Sequence, residues 1–285
     1  MGRKILENVK MDYTWTTYIA AVGGVLRAAG WWTEETYKLM GMTGIGFHFI
    51  MHRQACASSV TVYDWLNKHL QALDGIGIHS EMFCADSFDK LNTGAKLQET
   101  AARRIKDSID RGKGVVVWAP SKILEFGIIT GYDDADQVFF VADCTGREVD
   151  PLLYANLGRS EVPMLSYQII YDRIEVDREQ IYRKSLEYAI GQWRKEFHIS
   201  PDYASGSRAY DNLIATLERE DFDLFGLGFT VAVYADAKKS ITQYLDFLFR
   251  ESDIGKGLQR AVEFYGKAAV CFEQMSQLAP FSGVN

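Results

Sequence analysis

Apolar residues recur at helical spacing near the start of the chain, in the segment TYIAAVGGVLRAAG. The apolar positions follow one another at steps of three or four residues: Ile19, Val22, Leu26 and Ala29. This spacing predicts a helix near residues 14–29 with one apolar stripe, and Gly30 is a suitable C-terminal stop. Gly23 and Gly24 would each weaken the helix by about 1 kcal/mol relative to alanine. We therefore expect another part of the chain to pack closely against this helix.

Apolar segments in the middle of the chain predict β-strands. They are GVVVWAP, EFGIITGY, QVFFVAD and MLSYQIIYDRI. The short loop DDADQ joins the second segment to the third, which favours a β-hairpin. Short connections predict an antiparallel sheet that contains residues 114–120, 125–132 and 137–143, with the N-terminal helix packed on it. Upstream, GIGFHFIMHR alternates in polarity and also predicts a strand.

The last third of the chain has helical periodicity throughout. Segments such as IYRKSLEYAIGQWRKEFH, YADAKKSITQYLDFLFRE and LQRAVEFYGKAAVCFEQMSQL repeat apolar residues every three or four positions. We predict an α+β domain over 1–176 and an all-helical C-terminal domain over 177–285. The boundary is expected within 175–205, where SPDYASGS is the segment most typical of a linker.

Charge balance and cysteine pattern narrow the function classes. Asp and Glu total 38 against 31 Lys and Arg, and no basic cluster alternates with aromatic residues, so we expect no nucleic-acid partner. The segment MGRKILENVKMDYTW lacks the apolar core of a secretory signal, and no apolar run predicts a membrane span. Scattered cysteines without a CxxC pattern favour reduced thiols in the cytoplasm. We expect no metal and no cofactor.

Several segments carry a resemblance to a known family: TYIAAVGGVLRAAG, TGIGFHF, IDRGKGVVVW, EFGIITGYDD and VFFVAD, with DLFGLGF in the C-terminal part. The chain resembles the bacterial family that shares the N-terminal domain of the butirosin-biosynthesis acyltransferase. That family is distantly related to the bacteriocin-processing, papain-like peptidases. The resemblance implies a papain-like (cysteine-proteinase) fold, in which a helix packs on an antiparallel sheet and a helical region follows.

The resemblance also implies positions for three active-site residues. Counting back from Gly30, the nucleophilic cysteine of that family falls on Thr17. The base histidine falls on Glu125, where the strand before GYDD begins, and the orienting acid on the next strand falls on Asp143. A Cys–His–Asp constellation thus becomes Thr17–Glu125–Asp143, in which only the last residue type is retained. Trp15 would flank the mouth of such a site.

These replacements argue against papain-type acyl transfer. A threonine hydroxyl is hardly ionised near neutral pH and needs a strong adjacent base, and a carboxylate is a weak one unless burial raises its pKa. We expect a pseudoenzyme that binds an unidentified small molecule or peptide in a groove lined by Trp15, Thr17 and Glu125. Helix N–H groups would keep Glu125 ionised at neutral pH, so that Glu125→Gln lowers stability there.

Each of these residues also has a simpler interpretation. Thr17 is suited to a helix N-cap or first turn, and Trp15 to a hydrophobic staple at the helix entry. Asp143 precedes the segment CTGR and is suited to a turn. Glu125 can be the exposed end of a strand.

Two other functions stay open. An acyltransferase or amidohydrolase of a natural-product pathway would need a displaced nucleophile, for which Cys56 and Cys84 are the candidates. An interaction protein would use its helical C-terminal domain, for instance as the interface of a homo-oligomer. The spacing of His48, His52 and Cys56 resembles a row of metal ligands, but we expect surface or pocket-lining histidines there and no zinc.

Overall fold

The computed structural model describes residues 2–194 and 201–282. These residues form two compact units, each made of two stretches of the chain. The first unit comprises Met1–Thr36 and Trp65–Glu175, and the second comprises Tyr37–Asp64 and Val176–Asn285.

The structure differs from the predicted division at residues 37–64. The predicted boundary between 1–176 and 177–285 falls beside Glu175, where the first unit ends. Residues 37–64, however, pack with the second unit, although they lie within the range assigned to the first domain. The prediction that SPDYASGS is a linker is wrong: apart from Ser200, which lies outside the described residues, this segment belongs to the second unit and contains the strand Tyr203–Ser205.

Regular structure fills most of the described chain. The strands are β1 (Arg3–Ile5), β2 (Ile50–His52), β3 (Ile78–Asp86), β4 (Val115–Trp118), β5 (Phe126–Asp133), β6 (Val138–Ala142), β7 (Leu152–Leu153), β8 (Met164–Arg173) and β9 (Tyr203–Ser205). The helices are α1 (Thr17–Ala28), α2 (Thr36–Met42), α3 (Trp65–Gly75), α4 (Gly94–Asp110), α5 (Arg178–Arg194), α6 (Ser207–Arg219), α7 (Leu224–Glu251) and α8 (Gln259–Leu278).

The first unit is built on a seven-stranded sheet in the order β3-β8-β4-β5-β6-β7, with β1 paired to β5. Every neighbouring pair is antiparallel. The α+β class and the antiparallel sheet are therefore confirmed. The long strand β3 was not recognised from the sequence.

Helix α1 packs on β4 and β5, as predicted. A Cβ added at Gly24 would lie 2.0 Å from the Lys10 carbonyl oxygen and 3.0 Å from the Ile128 side chain. A Cβ at Gly23 would lie 2.5 Å from a carboxylate oxygen of Asp12. Glycine is therefore needed at Gly24, where the preceding backbone approaches the helix, whereas a side chain at position 23 would require the Asp12 side chain to move.

The central strands are buried on both faces. Val115, Val117 and Ile129 join α4 in one apolar core, whereas Ile128, the alternate neighbour on β5, points towards α1. Side chains alternate between the two faces of a strand. Burial on both faces explains why these strands are continuous apolar runs in the sequence.

The second unit combines helices with a small strand pair. Strands β2 and β9 pair antiparallel, and the core includes Phe49, Leu213, Val231 and Phe272. The prediction of an all-helical C-terminal domain is therefore wrong by one short strand. The prediction of a strand over GIGFHFIMHR is also largely wrong, since Ile45–Phe47 forms a 3-10 helix before β2 begins.

Candidate functional site

The candidate site lies in the first unit, where α1 begins beside the start of β5. Thr17 is the first residue of α1 and is buried. Its hydroxyl donates a hydrogen bond to Oε2 of Glu125 and accepts one from the Phe126 N–H at 3.3 Å. The structure thus brings together Thr17 and Glu125, which the resemblance pairs although they are 108 positions apart in the sequence.

Glu125 is not the ionised cap that we expected. Burial raises the pKa of its carboxyl from 4.5 to about 7, and the hydrogen bond from Thr17 offsets only part of that rise. In the described part of the chain, this carboxylate accepts its hydrogen bond from the Thr17 hydroxyl and none from helix N–H groups. The expectation of a carboxylate kept fully ionised at neutral pH is therefore wrong, because desolvation outweighs hydrogen bonding here.

The backbone beside Glu125 is strained. The Ala119 N–H donates to the Glu125 carbonyl at 2.8 Å, and Ala119 has a φ of 46°. A residue with a Cβ costs about 1–2 kcal/mol in this left-handed region. Strain of this kind is concentrated at functional sites, so the turn that carries Glu125 is a candidate for function on backbone grounds as well.

An aromatic wall lies next to this turn. Trp118 ends β4 and is 6% exposed, and its ring lies 5.1 Å from that of Phe126 and 4.8 Å from that of Trp65. The Trp118 indole N–H is buried and finds no acceptor among the described residues. Buried donors are nearly always satisfied, so this N–H is an unusual feature of the residues beside the turn.

Sequence reasoning missed the buried residues that contact Tyr18, the residue after Thr17. Tyr18, the neighbour of Thr17, stacks on the buried His69 with 3.5 Å between ring centroids. The Tyr18 hydroxyl donates to Gln168 at 2.8 Å, and Gln168 donates in turn to Ser80 at 3.0 Å. His69 comes four residues after Trp65 in α3, and this spacing was the only signal in the sequence that it faces inwards.

Asp143 does not take the orienting role that the resemblance implies. It is 6% exposed, and its carboxylate accepts hydrogen bonds from the Thr145 N–H at 2.9 Å and the Thr145 hydroxyl at 2.5 Å. Among the described residues, no hydrogen bond joins Asp143 to Glu125. Its contacts are those of a turn residue, which agrees with the simpler interpretation.

Cys144 lies close to the site and was not among the candidate nucleophiles. Although the residue as a whole is exposed, burial of the thiol, followed by the charges of Glu125 and Asp143, raises the pKa of Cys144 to about 11. A thiol reacts as the thiolate, so Cys144 is suppressed as a nucleophile at neutral pH. Of the earlier candidates, Cys84 is on β3 and Cys56 is in the second unit.

Trp15 lies just outside α1 and is 37% exposed. This position is compatible with a residue at the edge of a binding site. Its predicted role in ligand binding stays a prediction.

The histidine and cysteine row of the second unit is engaged in other contacts. His48 Nε2 contacts the Tyr188 hydroxyl, and His52 Nδ1 accepts from the Gln54 N–H at 3.1 Å. Cys56 Sγ lies 3.0 Å from the Ser58 hydroxyl. No group of three His, Cys, Asp or Glu residues in the described part of the chain is placed to hold a metal ion.

Neither a membrane-spanning helix in the described part of the chain nor a match to a known family points to a function. None of the helices in the described ranges combines the length and the apolarity that crossing a membrane requires. The chain matches no known protein family and no curated protein.

Proposed function

We propose that the first unit is a non-catalytic member of the papain-like superfamily that binds a small molecule or a peptide at Thr17 and Glu125. The observation that carries the proposal is the hydrogen bond between these two side chains at the start of α1. In a papain-like enzyme the nucleophile and its base meet at this junction. Here a hydroxyl and a carboxyl hold those positions.

The chemistry of the pair favours binding. A threonine hydroxyl needs a strong, oriented base before it becomes a nucleophile. The carboxyl of Glu125 contacts Thr17, but the third member of the constellation, Asp143, is engaged by Thr145. The neighbouring thiol, Cys144, stays protonated at neutral pH. No strongly activated nucleophile stands at this junction among the described residues.

The site favours ligands that carry hydroxyl or amine groups. A carboxyl with a pKa of about 7 exists in both forms at neutral pH, so Glu125 can accept a hydrogen bond when ionised and donate one when protonated. The buried rings of Trp118 and Phe126 make the surroundings of Glu125 apolar. This combination suits a ligand with both a polar group and an apolar part.

A thermal-shift screen tests the proposal. The full chain is incubated with small alcohols, amines and short peptides, and the melting temperature is measured for wild type, Glu125→Gln and Glu148→Gln. Glu148 is an exposed glutamate of the same unit and serves as the matched control. We expect ligands that stabilise wild type and Glu148→Gln but not Glu125→Gln. Ligands that stabilise all three proteins equally would bind elsewhere and contradict the proposal.

One observation favours the catalytic alternative, an acyltransferase or amidohydrolase. Burial raises the pKa of Glu125 into the range where a general base works best, and this base already contacts the Thr17 hydroxyl. An acyl thioester probe followed by mass spectrometry separates the two functions. Catalysis predicts an acyl adduct on Thr17 that Glu125→Gln suppresses, whereas binding alone predicts no adduct.

A further inference from the structure

The second unit buries a lysine side chain in the middle of α7. Lys238 is 3% exposed, whereas its neighbour Lys239 is exposed. Lysine is almost never fully buried unless it is paired with a negative charge. In the described part of the chain, no carboxylate lies within ion-pair distance of the Lys238 ammonium group.

Aromatic rings surround the Lys238 amine in place of a carboxylate. Its Nζ lies 4.9 Å from the ring centroid of Phe49, 5.5 Å from that of Tyr265, 5.7 Å from that of Tyr210 and 6.0 Å from that of Phe272. The rings come from the segment before β2, from α6 and from α8. We call these four residues the aromatic cage.

The aromatic cage is a continuous structure. Phe49 packs on Tyr210 with 4.3 Å between ring centroids and on Phe272 with 5.6 Å, and Tyr210 and Phe272 are 6.3 Å apart. Tyr210 and Tyr265 are both partly exposed. Each of these two tyrosines keeps part of its surface exposed, whereas Phe49 and Phe272 are buried.

This environment leaves more of the Lys238 amine uncharged at neutral pH than is usual for a lysine. Ring faces attract an ammonium group, but they do not replace its hydration, and burial lowers the pKa of Lys238 from 10.5 to about 8. At pH 7 roughly a tenth of the amine is then uncharged, several hundred times more than for a lysine of ordinary pKa. Amines desolvated in apolar surroundings form Schiff bases with carbonyl compounds.

We propose that Lys238 and the aromatic cage form a covalent binding site for an apolar or aromatic aldehyde, which Lys238 holds as a Schiff base. The uncharged Nζ attacks the carbonyl carbon, and the π electrons of the C=O bond move to the oxygen. The resulting carbinolamine loses that oxygen together with two protons from nitrogen and oxygen as water, which leaves a C=N bond. The step needs no oxidant and no reductant. It is independent of the proposed function, because every residue involved belongs to the second unit.

Reductive trapping with benzaldehyde tests this site on the native full chain. The protein is incubated at pH 7.5 with limiting benzaldehyde and sodium cyanoborohydride, and labelled peptides are sequenced by mass spectrometry. Lys239 is the internal control, since it lies next to Lys238 in the same peptide. We expect Lys238 to be labelled at least about tenfold faster than Lys239, given the larger uncharged fraction of its amine. Equal or slower labelling of Lys238 overturns the proposal.

Two further measurements make the result specific to the folded cage. In urea both lysines should be labelled at equal rates, and a preference that persists in urea would show that the fold is not its cause. The labelling rate of Lys238 relative to that of Lys239 should be several-fold lower with glyoxylate, a small charged aldehyde, than with benzaldehyde. If glyoxylate labels Lys238 as well as benzaldehyde does, the assignment of an apolar aldehyde is wrong.

Discussion

In the Glu125→Gln variant, an uncharged side chain of nearly the same shape replaces a carboxyl whose pKa is raised from 4.5 to about 7 by burial. The folded protein therefore binds this proton more tightly than the unfolded chain does. The contribution of Glu125 to the free energy of unfolding is complete below pH 4.5 and is lost as the pH rises through 7. Glutamine does not ionise, and its side-chain oxygen can still accept from Thr17.

The size of the effect follows from the pKa difference. A rise from 4.5 to about 7 corresponds to roughly 3 kcal/mol at about 1.4 kcal/mol per pKa unit. Because Glu125 is only partly buried, we treat this value as an upper limit and expect about 2 kcal/mol. Glu125→Gln should therefore be more stable than wild type by about 2 kcal/mol at pH 8.5, and the difference should become small near pH 4.5.

Urea unfolding at several pH values measures this difference. Every tryptophan except Trp193 lies in the first unit, so tryptophan fluorescence reports mainly on the unit that contains Glu125. Glu148→Gln is the control, and its stability relative to wild type should not change with pH in this way. A Glu125→Gln variant that is less stable than wild type at pH 8.5, or a difference independent of pH, would show that burial does not raise the pKa of Glu125.

Three other variants have expected outcomes in urea unfolding, followed by tryptophan fluorescence for the two in the first unit and by far-ultraviolet circular dichroism for Lys238→Met, which lies in the second unit. Thr17→Val removes the acceptor of the buried Phe126 N–H and should cost about 1–3 kcal/mol; an unchanged stability would contradict the role of this hydroxyl. Burial lowers the pKa of Lys238 from 10.5 to about 8, so the stability of wild type rises between pH 8 and pH 10.5. Lys238→Met should therefore be more stable than wild type by up to about 3 kcal/mol at pH 7, and no more stable than wild type above pH 10.5. The pKa of Asp134 is lowered from 3.8 to about 2, chiefly by a side-chain hydrogen bond from Lys106. The ionised Asp134 therefore stabilises the folded protein above pH 3.8, and this stabilisation is lost as the pH falls through 2. Asp134→Asn should therefore be less stable by about 1 kcal/mol at pH 7 and equal to wild type at pH 2; a loss that does not shrink in acid would contradict this.

The parts of the fold that could be predicted are those with strong local patterns. The apolar stripe of TYIAAVGGVLRAAG and the continuous apolar runs of β4 and β5 have no good alternative to burial, so the helix on an antiparallel sheet followed from them. Strand β3 carries His79 and Glu81 among apolar residues, and its pairing with β8 is a long-range contact without a local signal. The packing of residues 37–64 with the second unit likewise depends on long-range contacts that leave no local pattern in the sequence.

The candidate site also has features that could be predicted from the sequence and features that could not. The pairing of Thr17 with Glu125 could be predicted, because a helix start and a strand start meet at this junction in the papain-like fold that we propose. The protonation of Glu125 could not, because it depends on how much water the fold removes from one carboxyl. The nearness of Cys144 and the aromatic cage of Lys238 depend on side chains that meet only after folding.

The central claim is that the Thr17–Glu125 junction binds a ligand without transforming it. Ligand-observed NMR tests both binding and the absence of conversion in one sample. The compounds are those selected by the thermal-shift screen, and the protein is the full chain as wild type, Glu125→Gln or Glu148→Gln. Saturation transfer from the protein reports binding, and the integrals of the ligand signals over a day report conversion. We expect saturation transfer with wild type and Glu148→Gln, its loss with Glu125→Gln, and constant integrals throughout. Conversion of a ligand by wild type that Glu125→Gln abolishes would contradict the account and identify the protein as an enzyme.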